Sequence, residues 1–436
     1  MLTRFIQENL LHWYHHSKHP LILLGARQVG KTWLAKDLST KIQTPSHYFN
    51  FEEKPTLVKA FDQDLDPITI KRNLELSQKV PIGPEDLLIF DEIQSCPKAL
   101  TSLKYFAENS TNHVLAAGSL LGVHLSEDSF PVGLVEFLTL YPLTFEEFLI
   151  NLGKEDLLKN SSFKTAHSQL ITHLYDFFYT GGMPAAVMLW KSYNGIEQIQ
   201  KVRKCQQDIL LSYEKDFAKH AGKENALHLS ELFSNIAGQL VRYQDDSVER
   251  YQFKGALSGK KEYRQFKSLF SWLERCGLIY RSFVIESEPQ FPLSMQKKES
   301  LFKAFYFDIG LLNAKLKIGY GVYKSGDWSQ KGFILENFVA TQLAILTEGQ
   351  LYSWKTAKST AEIEFLWSDE NEAKIYPIEV KSQARTKAKS LMSFTEQFKP
   401  NKAFKLTLDH QMSFNPLSKI QTHPLYDIRR TLFQIT

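Results

Sequence analysis

Residues 25–32 read GARQVGKT, in which Gly25, Gly30, Lys31 and Thr32 meet the spacing G-x-x-x-x-G-K-[ST]. Such a loop cradles phosphate only where it leaves a buried strand and enters a helix, because successive backbone N–H groups and the helix N-terminus must face the anion. Both flanks are present. Residues 21–24 (LILL) are a continuous apolar run of the kind a parallel sheet buries, and residues 32–40 favour a helix. A plain glycine turn before a helix would not require that strand. Gly25, Ala26, Arg27, Gln28, Val29, Gly30, Lys31, Thr32 and Trp33 are therefore the candidate phosphate-binding segment, with Lys31 bridging the β- and γ-phosphates and the Thr32 hydroxyl available to Mg²⁺.

Magnesium also needs an acidic neighbour, and an attacking water needs a group to orient it. Residues 87–92 (LLIFDE) supply both: four apolar residues form a second buried strand, Asp91 ends it as the Mg²⁺ support, and Glu92 is placed to polarise the water. A third strand, His113 to Gly118, ends at Ser119, where a polar side chain could sense the γ-phosphate; a Gly-Ser turn is the plainer account of that residue. Strand, loop, helix, strand, acid, helix, strand, polar residue is the grammar of an α/β P-loop domain with a parallel sheet.

Residues 20–150 resemble a bacterial and archaeal group of AAA-type P-loop ATPases, through GARQVGKT, YFNFEE at 48–53, LLIFDEIQSCP, AAGSLLGV and YPLTFEEFL at 141–149. The resemblance continues with YTGGMPAAV at 179–187, YEKDFAKH at 213–220 and KAFYFDIGLLNAKL at 303–316, which are similar to the domain of unknown function that accompanies this ATPase. It implies ATP as ligand, Mg²⁺ as cofactor, and hydrolysis as the activity. It also implies self-association, since the arginine that completes an AAA site often comes from a neighbouring subunit. One departure stands out: FPVGLVEF carries Leu134 where such proteins commonly have a basic residue, which implies slow hydrolysis.

A chain of 436 residues calls for more than one core. The segments expected are an ATPase core at 1–150, a helical lid or connector at 151–225 broken by the turn at Gly181 to Pro184, a winged-helix-like module at 226–324, and an α/β domain at 325–436. A net charge of +4 assigns any nucleic-acid contact to a local patch. Cys96, Cys205 and Cys276 are far apart and lack C-x-x-C spacing, which argues against disulfides and zinc and favours a reducing cytoplasm. The first residues, MLTRFIQENLLHWYHH, have a helical stripe interrupted by charge and no signal-peptide core. No run reaches the ~18 apolar residues of a spanning helix, so a soluble protein without membrane partners is expected.

Residues 254–275 carry Lys254, Lys260, Lys261, Arg264, Lys267 and Arg275 against Glu262 and Glu274. A DNA-facing helix and a solvated face opposite the apolar Leu269, Phe270, Trp272 and Leu273 both describe this segment. Residues 277–285 (GLIYRSFVI) alternate as a strand or hairpin arm does.

The last hundred residues hold a second constellation. Glu336 lies in a helical stretch at 331–340, Glu364 in a strand at 361–367, and Glu379 and Lys381 in a strand at 375–382, where residues two apart share a face. Two carboxylates beside a lysine are what metal-assisted phosphodiester cleavage needs. The arrangement resembles the PD-(D/E)xK nuclease fold, with Glu364 in place of the family's Asp. Residues 384–405 add Arg385, Lys387, Lys389, Lys399, Lys402 and Lys405 with only Glu396, a patch that suits a nucleic-acid backbone or simply a solvated helix. An active nuclease, a degenerate nuclease-like binding domain and an ordinary sheet face with a cross-strand salt bridge all fit this segment.

Two functional classes follow. In the first, an intracellular Mg²⁺-dependent ATPase uses its hydrolytic cycle to switch its C-terminal domains. In the second, ATP gates a DNA-binding or DNA-cleaving domain. A switch that engages only protein partners is a third, plainer possibility.

Overall fold

The computed structural model describes residues 2–118, 133–192, 195–220, 222–242, 250–325, 331–356, 361–383, 385–410, 413–415 and 419–433. The contacts divide the chain into two units, Met1–Tyr141 with Arg275–Gly277, and Pro142–Glu274 with Leu278–Thr436.

In the first unit, strands β1 (Leu21–Leu24), β2 (Ser46–Asn50), β3 (Leu87–Asp91), β4 (Val114–Ala117) and β5 (Glu136–Thr139) form a sheet in the order β2-β3-β4-β1-β5. Every pair is parallel. β3 and β4 are buried along their whole length, as their unbroken apolar runs require of strands covered on both faces. The covering helices are α1 (Ile6–His16), α2 (Lys31–Lys41), α3 (Pro67–Gln78) and α4 (Pro97–Asn109). Helix α3 starts where Asp66 accepts from the backbone N–H groups of Ile68 and Thr69, with Pro67 in the first turn. Phe90 of β3 anchors one core, with Phe49, Phe51, Phe61 and Phe106 set edge-on around it at centroid distances of 5.8–5.9 Å.

The second unit begins with helices, Phe145–Asn151, Glu155–Lys159, Lys164–Thr180, Pro184–Lys191, Ile196–His220 and Lys223–Arg242, in line with the helical expectation for this stretch. YPLTFEEFL is a capping box: the Thr144 hydroxyl accepts from the Glu147 N–H at 3.0 Å, and the Glu147 carboxylate accepts from the Thr144 N–H at 2.9 Å.

An eight-stranded mixed sheet follows. Its strands are β6 (Ile279–Ile285), β7 (Phe302–Tyr306), β8 (Leu351–Lys355), β9 (Glu362–Asp369), β10 (Lys374–Val380), β11 (Ala403–Thr407), β12 (Ser413–Asn415) and β13 (Ile420–Pro424), in the order β12-β13-β11-β10-β9-β8-β6-β7. β6 pairs antiparallel with β7 and parallel with β8, so the boundary expected at 324/325 falls within one continuous sheet. Hydrogen-bond register joins segments that composition separates. β6 is buried at every residue despite its polar positions; the Arg281 guanidinium donates from its two terminal nitrogens to the Tyr263 hydroxyl at 3.2 Å and to Glu274 at 2.5 Å. The helix Tyr263–Arg275 buries Phe266, Leu269, Phe270 and Leu273 and exposes Arg264, Lys267 and Arg275.

Two of the recognisable motifs of this unit lock together. Asp308 caps the helix Ile309–Lys315, accepting from Leu311 N–H at 2.8 Å, and also accepts from Gly182 N–H at 2.6 Å in the GGMP turn. A Cβ at Gly181 would lie 2.3 Å from the Asp308 carboxylate, and one at Gly310 would lie 2.4 Å from the Thr180 carbonyl. Only glycine permits that approach. Burial pushes the Asp308 carboxyl up to about 6 against the pull of these N–H donors. We expect Asp308→Ala, which strands buried N–H groups, to cost roughly 2–5 kcal/mol. Asp308→Asn, which keeps an acceptor, should cost markedly less; denaturant unfolding of the full chain measures both.

Candidate functional site

The loop between β1 and α2 reverses within six residues, and its backbone shows why the glycines stand where they do. Gly25 has φ 137°, Gln28 66° and Gly30 102°. A Cβ on Gly25 would lie 2.2 Å from the Leu140 carbonyl oxygen, so no other residue fits there. Gly30 is the residue before the first turn of α2, whose free N–H groups and dipole face the loop. The loop is tied from outside by Arg4, whose guanidinium donates to the carbonyls of Val29 at 3.2 Å and Tyr141 at 2.6 Å.

Lys31 is buried, and its ammonium donates to the carbonyls of Gly25 and Ala26, both at 2.8 Å. Burial lowers its pKa to about 8, opposed by the negative charges of Glu92 and Asp91. The cation is thus stored beneath the loop with neutral partners, ready for a phosphate. The neighbouring Arg27 and Trp33 are half-buried and Ala26 is buried.

β1 and β3 are separated by β4, yet the first turn of α2, which follows β1, reaches the end of β3: the Thr32 hydroxyl donates to Asp91 Oδ2 at 2.7 Å. The Tyr48 hydroxyl donates to the same oxygen at 2.7 Å and accepts from the Asn50 amide at 3.1 Å. Burial holds this phenol above its ordinary range. A hydroxyl and a carboxylate side by side are hard oxygen donors, and a Mg²⁺–nucleotide site takes its remaining ligands from phosphate and water. Among the described residues no group of three His, Cys, Asp or Glu side chains could hold a metal unaided, so the Thr32–Asp91 pair fits that kind of site and not an all-protein cage.

Glu92 follows at φ 50°, an uncommon left-handed conformation for a glutamate, with the Gln94 amide donating to its carboxylate at 2.5 Å. That hydrogen bond holds the carboxylate beside the end of β3. The expected γ-phosphate sensor, Ser119, lies outside the described residues. Arg4, Tyr48 and Gln94 were not found from the sequence; only the nearness of Gln94 to LLIFDE offered any signal.

The second constellation also assembles, in part. Lys381 Nζ stands 3.2 Å from Glu364 and 3.1 Å from Glu379. Glu379 also accepts from the Leu391 N–H at 3.2 Å. A shift in the β8–β9 register, from Tyr352↔Leu366 to Trp354↔Ile363, puts an extra residue of β9 beside Glu364, a bulge of the kind that re-aims a side chain. Glu336 instead pairs with Lys303 of β7, at 2.7 Å. Burial pushes the Glu364 carboxyl up to about 8 and raises Glu379, while Lys381 draws both down. Burial disfavours the Lys381 ammonium in turn, but the two carboxylates outweigh it and hold the group above its ordinary range.

Residues 17–149 match a family model described as an AAA domain, and residues 171–320 and 331–422 match models of two domains of unknown function, DUF8612 and DUF4143. The N-terminal segment is thus similar to AAA domains. No curated protein matches the chain. Among solved structures, the Walker-type ATPase of Pyrococcus abyssi is 13% identical with a TM-score of 0.46, covering 72% of this chain and 96% of that one. The RuvB Holliday junction branch migration motor of Thermotoga maritima is 14% identical with a TM-score of 0.31, covering 64% of this chain and 90% of that one.

The lowered pKa of Lys31 carries a pH dependence. A bound phosphate favours the ammonium, so the complex keeps its proton to higher pH than the free protein does. Affinity for a nucleoside triphosphate should therefore be steady below pH 8, where Lys31 is already charged, and weaken above it. The slope expected is roughly tenfold per pH unit. Calorimetric titration on either side of that pH checks this, and Lys31→Arg, which stays charged, should bind without that slope.

Proposed function

We propose that this chain binds ATP with Mg²⁺ and hydrolyses it in its N-terminal unit, using the cycle to switch its second unit. The observation that carries the proposal is the Thr32 hydroxyl donating to Asp91 at 2.7 Å, with Glu92 next in the chain and Lys31 stored under the loop. In this reading the backbone amides of residues 25–33 cradle the phosphates and Lys31 bridges the β- and γ-oxygens. Thr32 and Asp91 would hold Mg²⁺, which offsets charge on the phosphates when bound. Glu92 accepts a proton from the attacking water, Gln94 keeps that carboxylate in place, and Ser119 senses the γ-phosphate. A second copy of the chain supplies the arginine that completes the site, and Leu134 keeps turnover slow.

The setting we propose is the cytoplasm, on the strength of three free, dispersed cysteines. No helix among the described residues is long and apolar enough to cross a membrane.

One observation favours a second reading, in which the nucleotide gates DNA binding or cleavage. Glu364, Glu379 and Lys381 converge, and the segment that follows exposes Arg385, Lys387 and Lys389. The elements there run from a helix (Lys331–Leu346) through β8, β9 and β10 to a helix (Lys389–Phe398) and β11, an α/β order that supports this reading.

We expect Glu92→Gln to bind ATP about as tightly as the parent and to hydrolyse it roughly 10²–10⁴ times more slowly. Lys31→Ala should lose ATP binding. Steady-state phosphate release with and without duplex DNA measures the first and separates the two readings, since stimulation by DNA would favour the second. A Lys31→Ala protein that still bound ATP normally would overturn the ATPase assignment.

A further inference from the structure

A nuclease-like fold implies a divalent metal between its carboxylates, and here the side chains do not fit one. We infer that the ammonium group of Lys303 takes the place of that cation, so that the carboxylate cluster of the second unit is metal-free and any DNA contact made there is independent of metal. This rests on the second reading above.

Lys303 belongs to β7, outside the helix–strand core that carries Glu336, Glu364, Glu379 and Lys381. Its side chain is 3% exposed, and its Nζ lies 2.7 Å from Glu336 Oε2. A lysine almost never gives up water so completely unless carboxylates surround it. Glu362 and Glu364 add their charge to that of Glu336 in holding it protonated against the cost of burial. Lys381 in turn spans Glu364 and Glu379 at 3.2 and 3.1 Å.

The acids therefore face two fixed ammonium groups. Among the described residues no group of three acidic, histidine or cysteine side chains could hold an ion unaided, and the acids that could share one with phosphate or water are already paired, Glu336 with Lys303 and both Glu364 and Glu379 with Lys381. A dication would have to enter beside both lysines, with Glu336 already engaged by one of them. A lysine also supplies what a hydrated metal cannot, a positive charge tethered to the sheet and present whether or not metal is available. The arrangement is symmetrical in kind: each ammonium neutralises carboxylates that would otherwise repel one another in a buried sheet.

The test is a Mn²⁺ titration of the nucleotide-free full-length protein, read by the resonance of free Mn²⁺. It compares the parent with Glu364→Gln, Lys303→Met and the double variant. The parent and Glu364→Gln should bind Mn²⁺ alike, whereas Lys303→Met should gain a site roughly tenfold or more tighter than any the parent has at this cluster. The double variant should lose it again. A parent site that disappears in Glu364→Gln overturns the inference, as does a Lys303→Met protein with an unchanged melting temperature and no gained site. Should Lys303→Met fail to fold, the parent against Glu364→Gln still decides. Duplex-DNA binding by the parent, measured in chelator and in Mn²⁺, separates the two levels of the argument. Equal binding in both supports the inference, and binding that needs both Mn²⁺ and Glu364 overturns it. Absence of DNA binding in either condition overturns the DNA reading, and the Mn²⁺ titration then decides the metal question alone.

Discussion

An ammonium group taken out of water must be given oxygen partners, and each unit of this protein is organised around one. In the first unit Lys31 finds the neutral carbonyls of Gly25 and Ala26. They accept its hydrogen bonds without pairing its charge directly, and Glu92 and Asp91 offset that charge only in part, so the loop stays receptive to an anion. In the second unit Lys303 and Lys381 find carboxylates, which satisfy both bonds and charge. The same physical requirement thus produces an open electrostatic site in one place and a closed one in the other, and the difference lies entirely in whether the partner oxygen carries charge.

The parts of this structure that were legible in the sequence are those whose chemistry is local. The phosphate loop is a contiguous run between a strand and a helix, so its spacing, flanks and glycines could be read together. LLIFDE is likewise one strand and its end. YFNFEE was legible only as a likeness and as a strand over 48–53; the structure ends β2 at Asn50, whose side chain accepts from the backbone N–H groups of Glu52 and Glu53 and turns the chain. Glu379 and Lys381 were legible for the same reason, being two apart in sequence, although β10 ends at Val380 and Lys381 lies just beyond the strand expected to hold both.

What could not be read depends on pairs far apart in the chain. Nothing in residues 1–10 announces that Arg4 reaches Val29 and Tyr141, and nothing in SHYFN marks Tyr48 as the second hydroxyl on Asp91. Glu336 was placed correctly on a helix, but its partner sits on β7, 33 residues earlier, in a segment whose own pattern reads as a different module. The join between β6 and β8 is invisible for a related reason: strand pairing is set by backbone register after the chain has returned, and side-chain periodicity reports only whether a strand is buried, not what lies next to it. Asp308 illustrates the point, since its helix-cap role is written in FDIGLL while its bond to Gly182 spans 126 residues.

The tie made by Arg4 has a consequence for how the N-terminal segment can be handled. The AAA-domain match covers residues 17–149, and a fragment trimmed to those limits would lack the guanidinium that braces the Val29 and Tyr141 carbonyls. Those two carbonyls would then turn to water, and the loop would lose the outside brace that helps fix where its N–H groups point. A fragment defined by family likeness would keep every residue of the nucleotide motif and lose part of the scaffold that orients it.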